Sequence, residues 1–302
     1  MPDQQPVTIL PIPFDWGASR RGADKGPDAV LIAGLADRLV LLGRKFETRS
    51  TSYLPPLAAD RRTLLRMKEW GRVHAMSEAV AKEIATIVTT GAFPLALGGD
   101  HSISIGTIAG LTQFKRRLGV IWIDAHADLN TPETSPSGNM HGMALAVSLG
   151  LGDSRFTGIG GGRSPKLQPE RVVLVGVREL DEGEKIIIRQ HQITCFTMHD
   201  IDRLGMARVM DEAIQIAARG SDGVHVSFDI DSIDPKDAPG TGTPVRGGLN
   251  YREAHLGAEM LYSAQIVTSA DFVEVNPLLD NSHLTAKLAV ELIASLLGER
   301  IL

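Results

Sequence analysis

Seven short apolar runs punctuate the chain: Val7–Ile12, Phe93–Leu97, Val120–Ile123, Val172–Val177, Ile193–Phe196, Val224–Ile230 and Ala270–Val275. Each gives way to a polar or glycine-rich turn and then to a helical pattern. Runs this short, apolar on both faces and rich in Val and Ile, predict strands buried in a parallel sheet. Helical candidates lie between them over Asp28–Leu42, Thr63–Thr90, Asp202–Arg219, Arg252–Ser263 and Thr285–Leu297. The alternation predicts one α/β domain over residues 1–302, with helices on both faces of the sheet. Two loops, Ser50–Asp60 with its Pro pair and the Gly-, Ser- and Pro-rich Gly152–Arg171, separate no segments of different composition and read as surface excursions.

Composition narrows the function classes. The chain has 302 residues, 43% hydrophobic and 22% charged, which is ordinary for a globular protein. A net charge of -5 with dispersed Lys and Arg offers neither a nucleic-acid surface nor a basic membrane patch. The lone Cys195 excludes an intrachain disulfide, and its apolar setting predicts a buried, inert thiol. "MPDQQPVTIL" has no basic region ahead of an apolar stretch, and no apolar run nears the roughly 18 residues that span a bilayer. A cytoplasmic protein is the expectation. "GIGGGRS" at Gly158–Ser164 lacks the Gly-Lys-Ser/Thr ending of a phosphate loop and reads as a flexible loop.

Chemistry collects at the carboxyl ends of the predicted strands, where doubly wound sheets bind ligands. "GGDHS" places His101 after the second run, and "DAHAD" places Asp124, His126 and Asp128 after the third. "SFDIDSIDP" supplies Asp229 and Asp231, and "FVEVNP" supplies Glu274. The amino ends carry nothing comparable. Positions two apart share a strand face, so Asp124, His126 and Asp128 converge if the extended conformation persists, as do Asp229 and Asp231. Four carboxylates in one pocket repel strongly. Two divalent cations neutralise them, with one imidazole for each ion and some carboxylates bridging, as in paired-metal hydrolytic sites. Such donors favour a hard or borderline metal such as manganese over zinc.

Taken in order, "GGDHSIS", "DAHADLN", "SGNMHG", "SFDIDSIDP" and "EVNP" resemble the ureohydrolase (arginase/agmatinase) family over essentially the whole chain. "NTPETSPSGNMHG" and "GVRELDEGE" resemble its bacterial arginase branch rather than the agmatinases. The resemblance implies a three-layer α/β/α domain around a single eight-stranded parallel sheet, with two Mn²⁺ per subunit. It implies that His101, Asp124, Asp128 and Asp229 hold one manganese, and His126, Asp124, Asp229 and Asp231 the other. It further implies a homotrimer or homohexamer and hydrolysis of L-arginine to L-ornithine and urea.

A guanidinium carbon is a poor electrophile, so attack at neutral pH needs a hydroxide, which a bridging metal pair provides. Asp128 would orient that hydroxide, and Glu274, outside the metal count, would pair with the guanidinium. His141 in "NMHGM" is the candidate proton shuttle. At the amino-acid end, Asn130, Ser135 and Ser137 offer donors for the α-carboxylate. Asp181 matches the family's acidic partner of the α-amino group. Thr243 in "TGTP" is a weaker candidate for a supporting or pocket role. The competing readings are an agmatinase or other guanidino-acid hydrolase, a paired-metal phosphoesterase, and a catalytically silent metal-binding protein. The phosphoesterase predicts basic residues around the pocket, whereas the motif loops offer Asn, Ser, Asp and Glu.

Overall fold

A computed structural model describes residues 5–51, 67–161 and 164–300. The first expected loop from residue 52, the start of the Thr63 helix and the centre of "GIGGGRS" therefore lie outside the described residues. The chain forms β1 (Val7–Ile12), α1 (Gly26–Ile32), α2 (Leu35–Leu41), β2 (Phe46–Thr48), α3 (Trp70–Thr89), β3 (Phe93–Gly98) and α4 (Ile103–Leu111). Then follow β4 (Leu118–Ile123), α5 (Ala144–Ser148), α6 (Ser154–Thr157), β5 (Val172–Val177), α7 (Glu182–His191) and β6 (Thr194–Thr197). The last part comprises α8 (Met198–Leu204), α9 (Met206–Ala218), β7 (Gly223–Asp229), α10 (Tyr251–Ala264), β8 (Val267–Val273) and α11 (Leu284–Leu296).

The strands build one eight-stranded sheet in the order β2-β1-β3-β8-β7-β4-β5-β6, and every pairing is parallel. Its two faces carry separate apolar cores. Ile121, Ile123, Val173 and Val175 pack with residues of α1, α2 and α8 to α11. Their alternates Val120, Trp122, Val172 and Leu174 pack with α3, α4, α5 and Ile187 of α7. Strands β3, β4 and β5 are apolar on both faces because helices cover both faces. That is the expected three-layer α/β/α arrangement.

Several helix boundaries differ from expectation. The Asp28–Leu42 pattern is two helices broken at Gly34, whose φ of 103° no other residue type adopts readily. Likewise the pattern over Asp202–Arg219 begins earlier, at Met198, and breaks at Gly205 (φ 79°). Five elements escaped the periodicity: β2, α4, α5, the four-residue α6 and the helix α7. The edge strand β2 is three residues long with a single apolar side chain. Helices α4 and α5 are buried on every side and so show no polar stripe.

Four neighbouring strands, β3, β8, β7 and β4, lie at the centre of the sheet. Their carboxyl ends all carry acidic or imidazole residues.

Candidate metal centre

The expected persistence of extended backbone after β4 does not occur. Strand pairing stops at Ile123, the following residues bend, and Asp128 adopts φ 52°. After β7 the chain turns into a short 3-10 helix at Ile230–Ser232. The side chains converge nonetheless, because tight turns capped by the carboxylates themselves fold them back. Asp124 accepts the amide of His126 at 2.7 Å, and Asp229 accepts that of Asp231 at 2.8 Å. Asp128 and Glu274 both hold left-handed backbone (φ 52° and 64°), which is costly for such residues and held here by the surroundings. The Asp128 carbonyl accepts the amides of Leu145 and Ala146, and the Glu274 amide donates to Gly99 O at 2.7 Å.

Two clusters share one carboxylate. His101 Nδ1 lies 3.2 Å from Asp124 Oδ2, 3.0 Å from Asp128 Oδ2 and 3.1 Å from Asp229 Oδ2. His126 Nδ1 lies 3.3 Å from Asp124 Oδ1 and 3.2 Å from Asp231 Oδ2. Asp124 thus turns one oxygen to each imidazole. His101 and the four carboxylates are buried, and His126 is partly exposed.

Whether cations fit is decided by the polar atoms. His101 Nδ1 and Asp128 Oδ2 are buried without a sound hydrogen bond, although they lie 3.0 Å apart. Adjacent ligands of an octahedral cation with bonds of about 2.1 Å are about 3 Å apart, which is the spacing found here. Acid–base balance points the same way. Burial, then the neighbouring carboxylates, raise Asp128, Asp229 and Asp231. Burial works against charge on Asp124 as well, but the approach of His101 and His126 holds it far below its ordinary range. Burial disfavours the charged imidazoles, yet the surrounding carboxylates push His101 and His126 far upward. The pocket calls for positive charge.

Residues unnoticed in the sequence support this centre. Trp122 is fully buried, stacks on the His101 ring at 4.1 Å and donates its indole N–H to Asp124 Oδ2 at 3.0 Å. Arg178 donates to the carbonyls of Asp231 (2.7 Å), Ser232 (3.0 Å) and Val245 (2.7 Å), clamping the turn that carries Asp231. Buried Asp100 accepts the amides of Gly17 and Ala18 and tethers that loop beside the site. Burial and then the charge of Glu274 raise Asp100 to about 6.

The remaining expected residues fall into two groups. His141 Nδ1 lies 2.9 Å from Glu274 Oε1, which also accepts the His101 amide at 2.9 Å. Burial opposes protonation of His141, but Glu274 outweighs it and raises the imidazole to about 9; in return His141 lowers Glu274. Thr243 donates to Asp231 Oδ2 at 2.9 Å. Further along, Asn130 donates to Asp181 Oδ2 at 2.8 Å, and Asp181 caps α7. Ser135 and Ser137 accept the amides of Gly138 and Asn139 within their own turn, which leaves each hydroxyl hydrogen free to donate.

An α/β/α sheet whose central strand ends gather two carboxylate–imidazole clusters defines the class of a metal-binding protein. Residues 5–298 match the model of the arginase family. The chain is 52% identical to the arginase of Bacillus caldovelox, over 99% of this chain and 100% of that one, and superposes on its native structure with a TM-score of 0.95. It is 50% identical to the arginase of Brevibacillus brevis, over 98% and 99% of the two chains. The arginase of Entamoeba histolytica in complex with L-ornithine is 33% identical, over 98% and 99% of the chains, with a TM-score of 0.89. The chain belongs to the arginase family.

Proposed function

We propose that this protein is an arginase: a hydrolase of linear amidines that uses two manganese ions to cleave L-arginine to L-ornithine and urea. The observation that carries the reading is the pair of clusters joined through Asp124, in a chain 52% identical to a full-length arginase. His101, Asp124, Asp128 and Asp229 would hold one ion, and His126, Asp124, Asp229 and Asp231 the other. When bound, the ions make water a competent nucleophile at neutral pH.

The chain's own residues supply the rest. Among the described residues, Glu274 Oε2 makes no hydrogen bond, so it is free to receive the substrate guanidinium while Oε1 holds His141. Asp128 accepts a hydrogen bond from the attacking water and orients it. His141, with Nδ1 tied to Glu274, keeps Nε2 to deliver a proton to the leaving amine. Asn130, Ser135 and Ser137 bind the α-carboxylate, and Asp181 the α-ammonium. Thr243 steadies Asp231. A relative with L-ornithine bound supports an amino-acid pocket in this fold.

We also infer assembly into a homotrimer or homohexamer in the cytoplasm. Exposed Ile32, Val40 and Leu41 support the assembly. No helix among the described residues is long and apolar enough to cross a membrane. The test of function is urea release by the manganese-loaded protein from arginine and agmatine. Arginine should turn over faster; faster turnover of agmatine would overturn the substrate assignment, and no urea from either would overturn the enzyme.

A further inference from the structure

Beneath the His101 cluster, β7 and β8 break the rule of their sheet. Val224, Val226 and Phe228 of β7 enter one apolar core, but their alternates His225, Ser227 and Asp229 form a polar row on the other face. β8 answers in register, Ser269 beside His225 and Asp271 beside Ser227. These two pairs and Ser104 of α4 are buried to within 1% of full burial. Asp229 ends the row as a ligand of the centre, but the other members touch no cation position. Such a row displaces aliphatic packing from the middle of a doubly covered sheet, and burying it is favourable only if its hydrogen bonds are complete.

The hydrogens can be assigned one by one. Ser227 Oγ donates to Asp271 Oδ1 at 2.6 Å, and Ser104 Oγ donates to Asp271 Oδ2 at 2.8 Å. His225 Nε2 also approaches Oδ2, at 3.2 Å, while its Nδ1 meets Ser269 Oγ at 3.0 Å. A serine has a single hydroxyl hydrogen, and that of Ser227 goes to Asp271. His101 Nε2, 2.8 Å from the same oxygen, must therefore be the donor. An imidazole carrying its hydrogen on Nε2 has its lone pair on Nδ1, the atom aimed at Asp124, Asp128 and Asp229.

We propose that Asp271, acting through Ser227, is a positioning pair that fixes His101 in the Nδ1-ligating tautomer and sets the affinity of the cation His101 holds. This deepens the dimanganese reading and rests on it. Removing Ser227 Oγ leaves the tautomer unselected. Replacing Asp271 with Asn introduces a donor that competes for the Ser227 oxygen. Second partners of this kind are worth about 10- to 100-fold in metal affinity.

The experiment uses full-length wild-type, S227A and D271N protein, with S269A as a control in the same buried row. Nitrogen-15 histidine spectra of the proteins loaded with a diamagnetic divalent cation, zinc, report which His101 nitrogen keeps its hydrogen, and manganese titration by calorimetry and electron paramagnetic resonance reports the two sites separately. Wild type and S269A should show the Nε2–H form of His101 and two bound manganese ions. S227A and D271N should lose that single form and bind one of the two ions about 10- to 100-fold more weakly. Unchanged tautomer and isotherm in both variants, beside a wild type that binds the pair, overturn the positioning role alone. Equal losses in S269A overturn it as a packing effect. A wild type that takes up no manganese pair overturns the dimanganese reading and this role together. Each variant removes or exchanges few atoms, and if one fails to fold, the other decides.

Discussion

The His141–Glu274 contact makes a quantitative prediction for E274Q. Glu274 Oε1 sits 2.9 Å from His141 Nδ1 in a pocket where the histidine side chain is 16% exposed. Burial opposes the charged imidazole, so its rise from 6.5 to about 9 is owed first to Glu274 and then to the charges of Asp100 and Asp128. At roughly 1.4 kcal/mol for each pH unit, these charges together are worth about 3 kcal/mol to the folded, cation-free protein, most of it from Glu274. Gln preserves the shape and an acceptor oxygen but removes the charge, leaving only the weaker pull of Asp100 and Asp128 to oppose burial. The His141 midpoint should then fall from about 9 toward 6.5. The sign for stability follows. A raised folded value gives stability that is fully present below 6.5 and lost as pH climbs through about 9. The depressed Glu274 contributes above its ordinary 4.5 and loses that contribution in acid. Cation-free wild type should therefore lose melting temperature between pH 6.5 and 9 relative to E274Q. Selective histidine labelling, with the His141 signal assigned from H141N, measures the midpoint directly. A midpoint in E274Q that stays near that of wild type would refute the claim that Glu274 holds the proton.

Three further outcomes follow from particular contacts. Arg178→Met removes three strong charge-assisted hydrogen bonds, two to the turn bearing Asp231 and one to Val245, and should cost about 3 kcal/mol, read by calorimetry as a melting point several degrees lower; an unchanged melting point would show that water replaces the clamp. Asp181→Asn should reduce the preference for arginine over agmatine by about 10- to 100-fold in kcat/KM, the worth of one charged hydrogen bond, with agmatine turnover hardly moved. An equal loss on both substrates would make Asp181 a structural cap only. Gly119→Ala would place a methyl 2.0 Å from the Ala217 carbonyl oxygen and should cost about 1–3 kcal/mol in denaturant titrations; wild-type stability would mean that α9 shifts freely on β4.

How much of this was legible depended on whether a residue's local pattern matched its tertiary setting. Val7–Ile12 and Val172–Val177 were readable to their ends because both faces of each strand are buried and the apolar run stops where the sheet stops. The same logic hid α4, whose nine residues are all buried, since a helix without a polar face has no helical period to read. The residues of the centre were visible because acidic and imidazole groups cluster at strand ends, where turns are otherwise interchangeable. The reason they meet was not visible. Alternation along an extended chain suggested it, whereas the structure uses left-handed backbone at Asp128 and self-capped turns at Asp124 and Asp229.

The supporting groups were missed for a different reason, and one of them left a signal. Trp122 and Arg178 stand singly in apolar or loop sequence, and nothing in either stretch distinguishes a buried partner from an ordinary residue. "VHVSFD" is another matter, because it alternates polar and apolar positions strictly inside a chain whose strands β3, β4 and β5 are apolar throughout. In an open sheet that alternation means one face in water. In a sheet covered on both faces there is no water side, so every polar position on an inner strand must find partners within the protein. Once helices are inferred on both faces, alternation in a central strand therefore predicts a buried hydrogen-bond network. Ser269 and Asp271 supply it, and its far end is a nitrogen of His101. The pattern that would have looked like a solvent-facing edge instead marks the strand on which the ligand's orientation depends.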